Sequence, residues 1–404
     1  MNQAIPTTES NRIISLDILR GFAVLGIFIM NMIDFSMVGA NYINPMAEGE
    51  LTGADYWAYE FTQLFANTKF MSLFSILFGA GIVLFTDRLA LKGLSEAKWH
   101  YRRNFWLLLI GMCHAYFIWS GDILVSYALC AVWVYLFRKW KAKSLFIAST
   151  VFFIIGVSIT VFADWSLPYW DASELKELCL SWTPPVEDIK YEVDAMRGSW
   201  LEQMPLRSEF AFAMQTFIFV FMMSWKITSM MLLGMGLYKS GVITGAKDIG
   251  FYKKLVLWGL IIGAGIGARG LWVNKLNEYA CKFSFFEGSL YNTFSSIFIV
   301  FFYIGLLMWM TKGSWGGILE KWLAPVGRMA LTNYLMQSII ATTIFYGHGF
   351  GLYATIGRAE HWFVILPVWA FQILFSKWWL SRYKFGPAEW AWRSLTYWKK
   401  QELR

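Results

Sequence analysis

The sequence predicts an all-α membrane protein: a polytopic transmembrane helix bundle of about ten spans, with both termini in the cytoplasm. Of the 404 residues, 57% are hydrophobic and only 15% are charged, whereas a soluble domain carries about 25% charged residues. Several apolar runs, among them residues 22–40, 255–273 and 297–310, approach or reach the ~20 residues that a spanning helix needs. The basic residues gather in alternate loops, as they do in proteins with a fixed orientation in the membrane.

Ten hydrophobic segments follow one another along the chain and form a single membrane domain over residues 1–404. They cover roughly residues 16–38, 65–85, 105–119, 123–137, 144–163, 210–237, 255–273, 291–310, 324–346 and 362–380. The third and fourth are expected to form a tight hairpin, because only a few residues separate them. The longest break, residues 164–209, is rich in Trp, Pro and acidic residues. We expect it to be an extracytoplasmic segment with some helix of its own at ASELKELCLSW.

The net charge is +8, and the positions of the basic residues indicate a signal for orientation in the membrane and not a nucleic-acid-binding surface. Lys and Arg lie in the loops after even-numbered spans and in the C-terminal tail, so the positive-inside rule places both termini in the cytoplasm of a bacterial inner membrane. The four cysteines have no C-x-x-C spacing and predict no metal site. Cys179 and Cys281 fall in expected extracytoplasmic loops, where a disulfide and two free thiols are both compatible with the sequence.

The third predicted span contains a histidine in the segment GMCHAYFIWSGDIL, at position 114. Histidine is the side chain best suited to accept and return a proton near neutral pH. In a continuous helix Asp122 would lie about 12 Å further along the axis, but a turn at Ser120-Gly121 can bring its carboxylate back toward the ring. We therefore expect His114 to be a catalytic base positioned by Asp122. The alternative is a histidine that only bonds a neighbouring helix.

Other polar side chains in or near the spans are candidates for ligand binding, because lipid penalises them unless they have a partner. The cytoplasmic ends carry arginines, which suit phosphate groups: Arg20, Arg88, Arg102, Arg103 and Arg328. The candidates for substrate binding are Asp34, Lys69, Lys226, Asn333 and Gln337. Structural explanations compete with both sets. Lys69 is expected to extend to the extracytoplasmic surface, and the stripe of Asn333 and Gln337 can serve only to bond helices together.

Five stretches together resemble the YeiB family of multispanning bacterial membrane proteins: LDILRGFAVLGIFIMN, FMSLFSILFGAG, GMCHAYFIWSGDIL, GRMALTNYLMQS and KFGPAEWAWRSLTYW. The family distantly resembles the transmembrane acyltransferase superfamily, whose members move an acyl group from cytoplasmic acyl-CoA to an acceptor across the membrane. In the O-acetyltransferase branch, the first span has Arg-Gly and then a histidine ten residues after the glycine. Here Arg20 and Gly21 match, and Asn31 stands at the histidine position, as in the lysosomal branch. The resemblance therefore implies a base elsewhere, for which His114 is the candidate, with Asn31 as a donor to the developing oxyanion.

The resulting hypothesis is a membrane-embedded acyltransferase with acyl-CoA, in particular acetyl-CoA, as its donor and with no metal. Its partners are the lipid bilayer, acyl-CoA and an acceptor at the extracytoplasmic side, and assembly into a homo-oligomer is left open. One rival is a transporter or exporter of a small anionic molecule, which the lack of an internal repeat and of a clearly broken helix disfavours. The other is a non-catalytic membrane assembly partner.

Overall fold

The computed structural model of the chain describes residues 12–404. Over that range the secondary structure is helical, with seventeen α-helices and no strand. The predicted cytoplasmic position of residues 1–11 lies outside the described residues. The helices are α1 (Ile14–Ser36), α2 (Gly53–Phe65), α3 (Lys69–Leu91), α4 (Glu96–Phe117), α5 (Leu124–Val134), α6 (Ala142–Ser166), α7 (Ala172–Trp182), α8 (Val186–Arg197), α9 (Trp200–Gln215), α10 (Ser224–Lys239), α11 (Ile249–Leu276), α12 (Cys281–Phe285), α13 (Glu287–Lys312), α14 (Gly316–Arg328), α15 (Ala330–Phe345), α16 (His361–Leu380) and α17 (Pro387–Tyr397).

Seven helical segments within residues 12–404 are long and apolar enough to cross a bilayer. They are Ile14–Ser36, Gly53–Leu91, Ala142–Tyr169, Trp200–Lys239, Ile249–Leu276, Cys281–Lys312 and His361–Leu380. The other three predicted spans correspond to α4, α5 and the pair α14–α15, which are more charged, shorter or interrupted. The all-α class is thus confirmed, and the apolar helices indicate a membrane protein.

The ninth predicted span is not one helix, which corrects the expectation of unbroken spans. Helix α14 ends at Arg328, Met329 leaves the helical conformation, and α15 begins at Ala330. The break lies where α14 crosses α1 in close contact: a Cβ atom on Gly327 would lie 1.8 Å from the Asp17 carbonyl oxygen. Glu389 of α17 then accepts hydrogen bonds from the Leu331 and Thr332 amides at the new N-terminus. A carboxylate there satisfies amides that have no partner within the helix.

The second predicted span has a similar interruption at its N-terminal end. Helix α2 ends at Phe65, Thr68 adopts a left-handed conformation with φ of 63°, and α3 begins at Lys69. A β-branched residue seldom takes this conformation, so the surrounding structure holds the break in place. Both interruptions place polar backbone inside a bundle of apolar helices.

The predicted extracytoplasmic segment, residues 164–209, is mostly helical. The stretch ASELKELCLSW forms α7, as expected, and α8 and the start of α9 follow it. A disulfide joins Cys179 of α7 to Cys281 of α12. Of the two arrangements that the sequence left open for these cysteines, the structure has the bridged one.

Candidate active site

A buried histidine–aspartate pair lies at the hairpin between α4 and α5. The His114 Nδ1 and Asp122 Oδ2 atoms are 2.6 Å apart, and the two residues are only 1% and 3% exposed. The chain turns back after Trp119, so the carboxylate approaches the ring as the Ser120-Gly121 turn predicted. The second Asp122 oxygen accepts a hydrogen bond from the Val125 amide, 2.9 Å away. The carboxylate is therefore fixed by the start of α5 and in turn orients the imidazole.

The other ring nitrogen of His114, Nε2, determines whether the imidazole can accept a proton. A carboxylate oxygen at Nδ1 requires a proton on that nitrogen, so in the neutral ring the lone pair lies on Nε2. Within residues 12–404 the His114 Nε2 atom is buried and has no hydrogen-bond partner. A neutral imidazole held in this tautomer can accept a proton at Nε2, as a general base does.

A large cavity of about 1010 Å³ lies close to this pair, with Ile123, Leu124 and Tyr334 in its lining, and its mouth is basic. The mouth lies among the first turns of α1 and α4, the last turns of α3, the break at Arg328 and one face of α17. Its charged lining consists of seven cations, Arg12, Arg20, Arg88, Lys92, Arg103, Arg328 and Arg393, and three carboxylates, Asp17, Asp87 and Glu389. The excess of positive charge suits a ligand with several negative charges.

The inner part of the cavity is apolar and deep. On α3 the lining extends from Arg88 to Phe74, which at 1.5 Å per residue is about 21 Å along the helix. The deep lining is aliphatic and aromatic: Val24, Ile27, Phe74, Leu77, Phe78, Leu107, Ile123 and Leu124. The cavity is thus amphipathic, with charges at its mouth and a hydrophobic interior.

Tyr334 connects this cavity to the histidine–aspartate pair. Its side chain is among those that line the cavity, and its hydroxyl lies 3.5 Å from Asp122 Oδ2 and accepts a hydrogen bond from the Ile123 amide at 3.3 Å. Its ring centroid is 5.2 Å from that of His114. Sequence reasoning missed Tyr334, although it lies in the GRMALTNYLMQS motif next to the polar stripe that was singled out.

Four of the five predicted phosphate-binding arginines line the cavity, and one does not. Arg20, Arg88, Arg103 and Arg328 are in the lining. Arg102 is not, because it stacks on Trp398 of the C-terminal segment with 3.9 Å between its Cζ atom and the ring centroid. Neighbouring positions on a helix point in different directions, and the charge pattern alone does not separate them.

Like charges crowd the mouth beside α17. Burial lowers the pKa of the Arg103 guanidinium to about 10, and the nearby charge of Arg393 adds to the effect. Arg393, which the sequence analysis did not single out, lines the cavity with Trp392, on whose ring Arg103 stacks at 4.4 Å. Two adjacent guanidinium groups in a partly desolvated mouth favour an anion between them.

Asn31 and Asp34 lie in the C-terminal part of α1. Asp34 accepts a hydrogen bond of 2.6 Å from the indole N–H of Trp119, whose ring is 6.1 Å from that of His114. Asn31 is buried one turn earlier, but within the described residues it makes no hydrogen bond to His114 or Asp122. In this arrangement Tyr334 is in the lining of the cavity and Asn31 is not.

Lys69 and Lys226 form a separate cationic region. The expectation that Lys69 extends to the surface is wrong: the residue is fully buried and its Nζ donates to the Gln63 carbonyl, 2.6 Å away, and to the Asn292 side chain. The helix break before Lys69 makes that carbonyl available. Neither lysine is in the lining of the large cavity.

The predicted polar stripe on α15 bonds helices together. The Asn333 amide donates to the Val326 carbonyl and to the Ser376 hydroxyl, at 3.1 and 3.0 Å. The Gln337 amide donates to the Val24 carbonyl and to Gln372, both at 3.0 Å. Neither side chain is in the lining of the cavity, so their contacts are those of the structural alternative, in which the stripe joins neighbouring helices.

Comparison with known proteins gives the family of the chain. It is 31% identical to an uncharacterized protein of Escherichia coli K12, YeiB, over 95% of this chain and 96% of that protein. The chain belongs to the YeiB family. An uncharacterized Bacillus subtilis protein, YxaH, is 32% identical to it over 98% of this chain and 97% of that protein. A family model described as a protein of unknown function, DUF418, matches residues 237–399.

Membership of the YeiB family shows which proteins the chain is related to, but it does not assign an activity to the chain. These relatives are uncharacterized, and the DUF418 match covers α11 to α17, which supply Arg328, Tyr334 and Arg393 to the cavity but do not contain His114.

Proposed function

We propose that the chain is a membrane-embedded acyltransferase that moves an acyl group from cytoplasmic acyl-CoA to an acceptor at the extracytoplasmic side. The observation that carries the proposal is the amphipathic cavity. It has a basic mouth and an apolar interior, and it ends at Tyr334, whose hydroxyl lies beside the Asp122–His114 pair. An acyl-CoA molecule has the same sequence of properties: phosphates, a long arm and a reactive thioester at its end.

The donor would bind with its phosphates among the arginines of the mouth, where guanidinium groups can hold phosphate oxygens bidentately. Its arm would follow the apolar wall of α3 inward for about 21 Å, the rise between Arg88 and Phe74. The thioester carbonyl would then lie beside Tyr334. The tyrosine hydroxyl donates its single proton to Asp122 Oδ2, 3.5 Å away, and would turn that proton to the carbonyl oxygen as negative charge develops there, a contribution worth about 3–4 kcal/mol where such donors have been removed.

The chemistry assigned to the pair is proton transfer. His114 Nε2 takes the proton of the acceptor hydroxyl or amine while that group attacks the thioester carbon, and Asp122 stabilises the imidazolium through Nδ1. The carbon–sulfur bond then breaks, and the proton on Nε2 passes to the departing CoA sulfur. The new ester or amide and free CoA balance the reaction.

We also propose that the chain crosses a bacterial inner membrane ten times, with both termini in the cytoplasm. The basic mouth of the cavity is formed by the same loops and tail that the positive-inside rule assigns to the cytoplasm. The disulfide between Cys179 and Cys281 supports the opposite assignment for their segments, because disulfides persist in oxidising compartments.

A second candidate, a transporter of a small organic anion, is favoured by the helix breaks at Thr68 and Met329. Interrupted helices often form ligand sites in transporters, so one of the two arguments against this function falls. A cavity open at one side also resembles one state of an alternating-access cycle.

Purified protein and radiolabelled acetyl-CoA separate the two functions. Acyl transfer predicts release of free CoA together with label on a second molecule or, transiently, on the protein. Transport predicts uptake of an intact labelled anion into proteoliposomes without cleavage of the thioester. Uptake without CoA release would reject the acyltransferase proposal.

A further inference from the structure

A buried arginine outside the large cavity lacks hydrogen-bond partners at two of its three side-chain nitrogen atoms. Arg207 of α9 is 2% exposed, and within residues 12–404 its Nε and Nη2 atoms make no hydrogen bond. Its remaining contact is a long one, 3.5 Å from Nη1 to the Gln203 side-chain oxygen. Nε and Nη2 form one edge of the guanidinium, the edge that binds carboxylate or phosphate with two parallel hydrogen bonds.

Arg197 shows what the same edge does when it has a partner. Its Nε and Nη2 atoms both donate to the Tyr353 carbonyl, at 2.8 and 2.6 Å. Arg207 has no such acceptor. Nearby carboxylates within residues 12–404 bond other groups: Glu192 accepts from the Tyr353 hydroxyl at 2.5 Å, Asp34 from Trp119, and Glu202 of the same helix from the Ser199 amide. A buried cation without an acidic partner is costly, so an acceptor from outside the chain is expected.

The surroundings of Arg207 are aromatic and lie at the outer side of the bundle. Its Cζ atom is 6.0 Å from the Trp200 ring centroid and 5.9 Å from that of Tyr346. Trp200 donates to the carbonyl of Phe117, the last residue of α4, and Tyr346 follows the last residue of α15. These are the opposite ends of two helices whose first turns line the large cavity. Arg207 and the cavity mouth therefore lie on opposite sides of the histidine–aspartate pair.

We propose that Arg207 is the centre of a second anion site, at the outer side of the bundle, which binds a carboxylate or phosphate group through Nε and Nη2. The site rests on this geometry alone. Its use as the anchor of an anionic acceptor rests on the proposed acyl transfer.

Thermal unfolding of the full chain in detergent tests the site without any acyl-CoA. Wild type, Arg207→Met and the control Arg269→Met, which removes an exposed arginine stacked on Trp272, are compared in a buffer free of phosphate and carboxylate. Each is then titrated with inorganic phosphate and, separately, with acetate. Because the cavity mouth also attracts anions, the informative quantity is the part of the stabilisation that Arg207→Met removes.

Without added anion, Arg207→Met is expected to unfold at or above the temperature of the wild type, because methionine fills the space without an unpaired charge. With phosphate or acetate the order should reverse, and the apparent Kd of the favoured anion should be about tenfold or more weaker in Arg207→Met, while Arg269→Met follows the wild type. Arg207→Lys keeps the charge but not the bidentate edge and should not restore binding.

The two titrations also identify the ligand class. A reversal with acetate alone assigns a carboxylate, one with phosphate alone assigns a phosphate, and one with both assigns the shared oxyanion geometry. Equal stabilisation of wild type and Arg207→Met by both anions would overturn the proposal, as would strong destabilisation of the variant in every buffer. Neither outcome bears on acyl transfer, which this assay does not contain.

Discussion

Replacing Asp122 by asparagine tests whether the histidine–aspartate pair acts as a base. The substitution keeps the size of the side chain, and the amide oxygen can still accept from the Val125 amide as Asp122 Oδ1 does at 2.9 Å. The amide nitrogen, however, would face His114 Nδ1, where an oxygen now lies at 2.6 Å. Two donors cannot bond each other, so the ring would shift its proton to Nε2 and lose the lone pair that accepts the substrate proton.

The size of the effect follows from burial and from the role assigned to the ring. With His114 and Asp122 only 1% and 3% exposed, water cannot take the place of the lost carboxylate. General-base catalysis contributes about 10²–10⁴-fold, and the same substitution in a Ser-His-Asp hydrolase lowers kcat about 10⁴-fold. We therefore expect acyl transfer to fall at least 10²-fold, with a loss of stability of about 1–3 kcal/mol for the buried charged hydrogen bond.

The assay is the rate of CoA release from acyl-CoA by detergent-purified protein, with thermal unfolding and acyl-CoA affinity measured on the same samples. Asp248→Asn is the matched control, because Asp248 caps α11 through the Phe251 amide at an exposed site. A rate for Asp122→Asn within a factor of about 3 of the wild type, in a folded sample, would refute the base mechanism.

Arg103→Ala should weaken acyl-CoA binding about 10-fold or more, since a hydrogen bond to a charged group contributes ~1.5–3 kcal/mol. Arg102→Ala should change the affinity little, because Arg102 is not in the cavity lining. Equal losses of affinity in the two variants, measured by equilibrium binding, would contradict the assignment of the mouth. Non-reducing peptide mapping should recover Cys179 and Cys281 in one linked peptide, and two separately alkylated peptides would reject the disulfide. A periplasm-active reporter fused after Pro205 should be active and one fused at the C-terminus inactive, and activity at the C-terminus would reject the proposed topology.

Much of the helical framework was predictable, because the length of each hydrophobic segment can be read from the sequence. Each predicted span overlaps a helix of the structure: for example, residues 255–273 lie within α11 and residues 362–380 within α16. The hairpin was predictable as well, because the turn residues between His114 and Asp122 allow the chain to reverse and the carboxylate to approach the ring.

The helix breaks and the orientation of single side chains were not predictable in the same way. The break at Met329 depends on the close approach of Gly327 to α1 and on capping by Glu389, which is 60 residues away in the sequence. Similarly, Tyr334 becomes a candidate only when α15 packs beside the hairpin. Contacts between distant segments determine both features, and neither hydropathy nor charge spacing reports such contacts.

The sequence predicted that arginines would gather at one site, but not all of the residues that form the cationic mouth. The positive-inside pattern places basic residues at one surface, and four of the five arginines singled out there line the cavity. Arg393 was missed because it lies in the C-terminal tail, which the charge pattern treats as an orientation signal. Only the return of α17 to the start of α4, where Trp392 donates to the Arg103 carbonyl at 2.9 Å, makes this tail part of the site.

The most direct test of the account is the rate of acyl transfer by His114→Gln, measured with radiolabelled acetyl-CoA and the protein in proteoliposomes. Glutamine retains a hydrogen bond to Asp122 but cannot accept and return a proton. The account predicts a rate at least about 10²-fold below that of the wild type, with acyl-CoA affinity and unfolding temperature nearly unchanged. A His114→Gln protein that transfers the acyl group at the wild-type rate would contradict it.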